Sequence, residues 1–252
     1  MKYPILYHYT MIDGLLGIIS ECKLWSSDCR FLNDGSELSY AREIFFNEII
    51  KLDLPPIHGG GYWIPGTSLD DYRMFVTCFC EDGDLLSQWR GYGLEQGYSL
   101  GFDFNVWKNI ENIEICKVQY GIKDPSRYFS SELENAKRIS SHPGVTEEHV
   151  SMWILPRFAQ VKHPSFSEER EWRFIIQYPK YEIDRKIDLK FRSSQLGPIS
   201  YIANSIPKEC LREIIIGPGA FSTICKDAVS NFIRFYGYDD VRVRISTIPF
   251  RK

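Results

Sequence analysis

Glu169-Arg170-Glu171-Trp172-Arg173-Phe174-Ile175-Ile176 decides how this chain is read, because a polar stretch holding two acids runs straight into an apolar segment. Side chains alternate between faces along a β-strand. A strand that begins at Glu169 therefore projects Glu169 and Glu171 from one face, and the two carboxylates share one patch of space. Such a pair at a strand mouth can bind sugar hydroxyls, stabilise a developing cation, or divide acid and base roles between its members. The plainer alternative is an exposed acidic edge strand, its glutamates paired with arginines such as Arg170 and Arg173 or with distant partners.

Outward from this strand, the apolar pattern changes period repeatedly. Ile5 to Tyr7 reads as a short first strand, then a polar corner, His8-Tyr9-Thr10, leads to Ile12, Leu15, Leu16, Ile18 and Ile19 at helical spacing. Asp34 and Glu37 stand at capping-box spacing before a helix carrying Leu38, Ala41, Ile44, Phe45 and Ile49, so Asp34 reads as a cap rather than a catalytic acid. Tyr72 to Cys80 and Tyr98 to Asp103 read as strands. Between them, Asp82 to Gly93 interleaves polar groups with Trp89, Arg90 and Tyr92, a composition that can stack a flat ring and hydrogen-bond it. Trp89 and Tyr92 as core anchors of a short helix is the competing reading.

A helical region from Thr146 to Val161 is interrupted by Pro156. Glu213 to Ile216 reads as a strand ending at Gly217-Pro218-Gly219, Phe221 to Phe235 as a helix, and Val241 to Ile245 as a last strand. Strands scattered among helices without a βαβ rhythm predict an α+β fold. Residues 54–69 are too rich in Pro and Gly for regular structure and read as an insertion, either a binding loop or a passive surface loop. Gly59-Gly60-Gly61 lacks the spacing of a phosphate cradle.

At 252 residues the chain suits a single domain spanning 1–252, and 15% aromatic content argues against disorder. A net charge of -3 supplies no global attraction to nucleic acid or an anionic membrane. Seven cysteines, an odd number without a disulfide framework, indicate a reducing compartment. Cys78 and Cys80 read as small buried side chains on one strand face. No Cys-x-x-Cys or His-x-x-x-His pair occurs, so no metal is expected. With no signal-peptide core and no apolar run of bilayer length, the expectation is a cytoplasmic protein without a membrane partner.

Leu6-Tyr7-His8-Tyr9-Thr10, Leu32-Asn33-Asp34 with Glu37, Leu86-Ser87-Gln88-Trp89-Arg90-Gly91-Tyr92, Glu169-Arg170-Glu171-Trp172-Arg173 and Ile216-Gly217-Pro218 together resemble a widespread bacterial family catalogued as a domain of unknown function, number 2971 in that series. A His-x-Thr corner after the first strand, a central aromatic and a late Glu are also distantly similar to the ADP-ribosyltransferase superfamily. That resemblance implies split mixed or antiparallel sheets with flanking helices and an NAD site between them. It implies His8, Tyr9 and Thr10 at the NAD cleft, with His8 near the adenosine ribose and Thr10 supporting the nicotinamide pocket. It places Glu171 at the nicotinamide ribose and Glu169 beside the incoming nucleophile. Trp89, Arg90 and Tyr92 join the cofactor set, with Tyr92, Tyr98 and Tyr72 competing for the central tyrosine.

The leading expectation is thus an NAD-consuming ADP-ribosyltransferase, a bacterial toxin or antiviral defence effector acting on a nucleic-acid or protein acceptor and restrained by a neutralising or regulatory partner. Two alternatives stand beside it: an inactive ligand-binding or sensor module on the same fold, and a metal-dependent nucleic-acid hydrolase using Asp82, Asp84, Glu169 and Glu171 as oxygen ligands.

Overall fold

The computed structural model describes residues 2–31, 37–51, 72–92, 96–107, 113–140, 154–179, 187–194 and 197–249. Along them run β1 (Leu6–Thr10), α1 (Ile12–Glu21), β2 (Lys23–Asp28), α2 (Glu37–Lys51), β3 (Tyr72–Cys80), α3 (Leu86–Tyr92) and β4 (Tyr98–Phe102). Next come β5 (Glu114–Lys117), β6 (Gln119–Tyr120), α4 (Pro125–Tyr128), α5 (Ser130–Ser140), β7 (Val161–Lys162) and β8 (Glu171–Pro179). β9 (Leu189–Ser194), β10 (Gly197–Ser205), β11 (Leu211–Ile216), α6 (Ser222–Phe235) and β12 (Arg242–Ile245) complete the order. The architecture is α+β, as the sequence predicts: a large mixed sheet, a small parallel pair of β6 with β7, and several helices.

β8 is buried on both faces, which is why its sequence reads as a continuous apolar run rather than an alternation. Trp172 and Phe174 enter a core with Phe79 and Phe104, while Ile175 packs on the opposite side with Met74 and Val76. The Phe174 ring lies 4.7 Å from Phe79 and 4.5 Å from Phe104, contacts that add about 0.5–1.5 kcal/mol each beyond area burial. β8 pairs antiparallel with β3 from Cys80↔Glu171 to Tyr72↔Pro179. Glu171 thus sits at the same end of the sheet as the last residue of β3.

The strand begins two residues later than the sequence predicts. Glu169 closes a 3-10 helix, Pro164–Glu169, and Arg170 takes a left-handed conformation with φ 44°. Glu169 and Glu171 therefore do not alternate along one strand. A turn through Arg170 brings them together instead.

On its other edge β3 has two partners, and there the sheet forks. β1 meets β3 only at Tyr7↔Cys80, whereas β2 meets it at Ser27↔Val76 and Asp28↔Phe75. One arm continues β1, β4, β11, β12, and the other β2, β10, β9. Side chains fill in where the ladder opens. The His8 ring reaches the Cys78 carbonyl through Nδ1 at 3.0 Å, and the Thr77 hydroxyl donates to the Trp25 carbonyl at 3.2 Å. Buried backbone carbonyls need such partners, so the fork is held open by specific polar side chains rather than by missing contacts.

β1 runs three residues further than expected, to Thr10, so His8-Tyr9-Thr10 is part of the strand and not a corner; most other sequence-predicted elements lie within a residue or two of their expected places. The cap expected at Asp34 and the insertion expected at 54–69 fall outside the described residues. Of the helical stretch expected from Thr146, the described part is a helical turn at 154–158, followed by β7. Among the described residues, no helix is long and apolar enough to cross a membrane.

Candidate functional site

At the fork of β3 lies a cavity of about 340 Å³, within the range of small-molecule sites. β1 contributes Tyr7, His8 and Tyr9, and the end of β3 contributes Cys78 and Cys80. α3 supplies Ser87, Gln88, Gly91 and Tyr92. The remaining wall is Lys162, Phe166, Glu169, Glu171 and Arg173.

The acid wall is built by local geometry. Arg173 lies two residues along β8 from Glu171, hence on the same face, and grips it bidentately: Nε to Oε1 at 2.6 Å and Nη2 to Oε2 at 3.1 Å. The third guanidinium nitrogen donates to the Ala159 carbonyl at 2.9 Å. β7, held by β6 through Tyr120↔Lys162, delivers the Lys162 ammonium between the two acids. It lies 2.9 Å from Glu171 and 2.7 Å from Glu169, beneath the Phe166 ring at 4.7 Å. The Tyr120 hydroxyl accepts the Glu171 backbone N–H at 2.7 Å, fixing the strand start.

Glu171 is 2% exposed. Burial pushes its carboxyl up, but the Arg173 charge and hydrogen bonds, the Lys162 charge and a Cys78 hydrogen bond outweigh this and hold it at about 2. It is therefore an anion throughout the neutral range. With so weak a basicity it serves as a fixed charge and hydrogen-bond acceptor, not as a proton shuttle. Glu169, with 22% of its side chain exposed, is the more open acid. The pairing with Arg173 that the plainer sequence reading allowed does occur, but buried at a cavity wall instead of on an exposed edge.

A carbonyl only accepts, so the His8 contact with the Cys78 carbonyl places the proton on Nδ1 and leaves Nε2 as the basic nitrogen. Burial keeps the ring neutral by lowering its pKa, against the opposing hydrogen bond to Cys78. The Tyr9 hydroxyl donates to the Asp82 carbonyl and accepts the Leu85 N–H, both at 2.9 Å, tying the loop before α3 to β1. Burial pushes the Cys80 thiol strongly up, as expected of an unreactive side chain.

Of the residues singled out from sequence, Glu171, Glu169, His8, Tyr9 and Tyr92 line the cavity together. Thr10, Trp89 and Arg90 stand outside its lining. Thr10 packs against the backbone of Gly14 in α1, where an added Cβ would lie 1.9 Å from its hydroxyl. Trp89 is 1% exposed, stands edge-on to Tyr9 at 4.8 Å and donates its indole N–H to Asp84 at 2.8 Å. It supports the cavity wall from behind. Arg90 is exposed on α3. Sequence reasoning missed Lys162, Phe166 and Ser87 as site residues. Arg173 carried a usable signal, since i and i+2 on a strand share a face.

Among the described residues, no group of three His, Cys, Asp or Glu side chains is placed to hold a metal ion. Asp82 and Asp84 do not join the two glutamates: Asp82 pairs with Arg170, and Asp84 accepts from Trp89, Ser246 and Thr247.

A family model described as "Protein of unknown function (DUF2971)" matches residues 88–174, in agreement with the resemblance read from the motifs. The span includes Tyr92, Lys162, Glu169 and Glu171, and leaves out the β1 and β3 sides of the cavity. No curated protein and no solved structure matches the chain.

Proposed function

We propose that the cavity at the fork of β3 binds the nicotinamide-ribose half of NAD and that the protein transfers ADP-ribose to an acceptor. The observation that carries this reading is the convergence of His8, on the first strand, with Glu171, on a late strand, in one cavity where the sheet divides. The expected cleft lies between two small sheets, whereas here one large sheet divides into two arms at β3; that division is what supports the comparison with a split-sheet fold. Nothing in the intervening sequence forces the two residues to meet.

In this reaction the bond between the ribose carbon and the nicotinamide nitrogen breaks, nicotinamide leaves with the bonding pair, and the sugar gains oxocarbenium character. The acceptor then forms the new bond to the sugar carbon and gives up a proton. A permanently ionised carboxylate suits the first step, accepting a ribose hydroxyl and stabilising the developing cation. Glu169, the more open acid, orients the nucleophile and takes its proton. His8 offers Nε2 as an acceptor to a ligand hydroxyl. Lys162 occupies the space between both acids, and a ribose diol donating to the same oxygens would shift it aside. The acceptor, nucleic acid or protein, and the toxin or defence role belong to the same proposal.

A second reading, ligand binding without turnover, is favoured by a specific observation: both oxygens of Glu171 already receive cationic donors. Nicotinamide release from NAD decides between them, measured for wild type, Glu171→Gln and Glu169→Gln with folding checked by circular dichroism. Release by wild type, lost in a Glu171→Gln variant that circular dichroism shows to be folded, supports the transferase, and Glu169→Gln should chiefly impair transfer to the acceptor. NAD binding without release in the presence of candidate acceptors points to the binding module, and neither binding nor release sinks the NAD reading. Glu169→Gln is the safer variant for folding because Glu169 is the more open acid, with 22% of its side chain exposed against 3% for Glu171.

A further inference from the structure

Buried polar atoms without a partner are uncommon in folded proteins, and each calls for an explanation. Among the described residues such atoms belong to Trp25, Ser87, Ser99, Tyr128 and Gln177. Ser87 alone of these lines the cavity. Its hydroxyl is shut off from bulk water and makes no hydrogen bond within the protein. Helical serines normally escape this by donating to the carbonyl four residues back. Ser20 does so to Leu16, and Ser230 to Lys226, both at 2.7 Å. Four residues before Ser87 stands Gly83, which lies in the loop ahead of α3 that Tyr9 and Asp84 organise, not in a helical turn.

We propose that Ser87 is a ligand-contacting, specificity-determining residue whose hydroxyl is held ready for a hydrogen-bonding group of the molecule that fills the cavity. Among the described residues the charged wall sets Lys162 and Arg173 against Glu169 and Glu171, so a net charge on the incoming group gains little from these four. The group that meets Ser87 is a neutral one such as a hydroxyl or carboxamide. A ligand lacking it leaves the hydroxyl unsatisfied and is discriminated against for that reason. This assignment rests on the reading of the cavity as the NAD site.

Ser87→Ala separates a ligand-reading role from a structural one, because the two predict opposite changes in stability. Removing an unsatisfied buried hydroxyl relieves the free protein, so Ser87→Ala melts about 2–4 °C higher than wild type without NAD. The same variant binds NAD roughly tenfold more weakly by calorimetric titration. A control is available at Gly91, where an added Cβ meets no heavy atom within 4 Å. Gly91→Leu therefore keeps the fold while crowding the cavity, and NAD binding weakens. If wild type and Ser87→Ala bind NAD equally, or if Ser87→Ala melts lower, the Ser87 assignment is overturned while the NAD reading stands. If wild type gives no NAD signal, the NAD reading fails and takes the assignment with it. Unchanged NAD affinity in Gly91→Leu places the ligand outside this cavity and overturns both.

Discussion

The chain contains two acid-x-acid stretches in the region of the fork, Asp82-Gly83-Asp84 and Glu169-Arg170-Glu171, and they meet opposite fates. Asp84 accepts from the Trp89 indole, the Thr247 backbone N–H and the Ser246 hydroxyl, and lies near Arg244. Its partners are mostly neutral donors, and it faces away from the cavity, acting as a clasp between α3 and the residues after β12. Glu171 is satisfied by two buried cations and faces the cavity. Spacing alone did not separate them. What separates them is the chemistry of the partners, and only one arrangement leaves charged groups beside a space a ligand can enter.

Glu171→Gln should break the comparison most sharply. It takes from Arg173, itself 1% exposed, a bidentate acceptor, and breaking a buried ion pair by removing one partner costs about 3–5 kcal/mol. Urea unfolding at neutral pH should show a loss of that order. The double variant Glu171→Gln/Arg173→Met should recover part of it, since replacing a whole buried pair costs less than halving it. The acid dependence has a definite sign. The carboxyl is lowered on folding from 4.5 to about 2, so its contribution is fully present above about pH 4.5 and is lost as pH falls towards 2. The stability gap between wild type and Glu171→Gln should therefore narrow across that window. A gap constant with pH would mean that the ion pairs do not govern stability here.

Asp84→Ala should have the next largest effect. Its side chain is 12% exposed, and losing a charged acceptor from several donors costs about 2–3 kcal/mol. Unlike Glu171→Gln, it should loosen α3 selectively, because the Trp89 indole and the chain at Thr247 lose their common acceptor. Hydrogen exchange of the α3 amides checks this. Protection of α3 equal to that of wild type would show that Trp89 packing alone holds the helix.

The same contrast explains what the sequence made legible. β8, β11 and α6 were readable because their apolar residues recur at the period of the element. β2 was not: its buried face is Leu24, Ser26 and Asp28, and two of those three belong inside only because distant residues satisfy them. Ser26 is met by Thr77 and Asn204, and Asp28 by Arg30 and Ser200. The site divides in the same way. Glu171 and His8, which motifs single out, line the cavity, but Lys162 beside them sits on a two-residue strand that has no period to detect. Its position between the glutamates is a tertiary fact. Trp89 shows the reverse error of emphasis, since an indole near polar residues suggests ligand stacking while the fold places it in the core behind Tyr9.

Arg170 links the two acidic stretches directly, and it should matter least. Its guanidinium reaches Asp82 at 3.2 Å, with the two side chains 51% and 42% exposed, a pair of the kind worth about 0–1 kcal/mol. Its left-handed backbone, φ 44°, carries a cost of about 1–2 kcal/mol for most L-residues that asparagine largely avoids. Arg170→Asn removes the ion pair and eases the backbone together, so the effects oppose each other. Urea unfolding should place the variant within about 1 kcal/mol of wild type, with Glu169 and Glu171 still drawn together by Lys162. A loss above about 2 kcal/mol, or a fall in NAD binding comparable to that of a cavity residue, would mean that the Arg170 to Asp82 bridge aligns the acid wall with α3. The two stretches would then act as one unit, and the division drawn between them would fail.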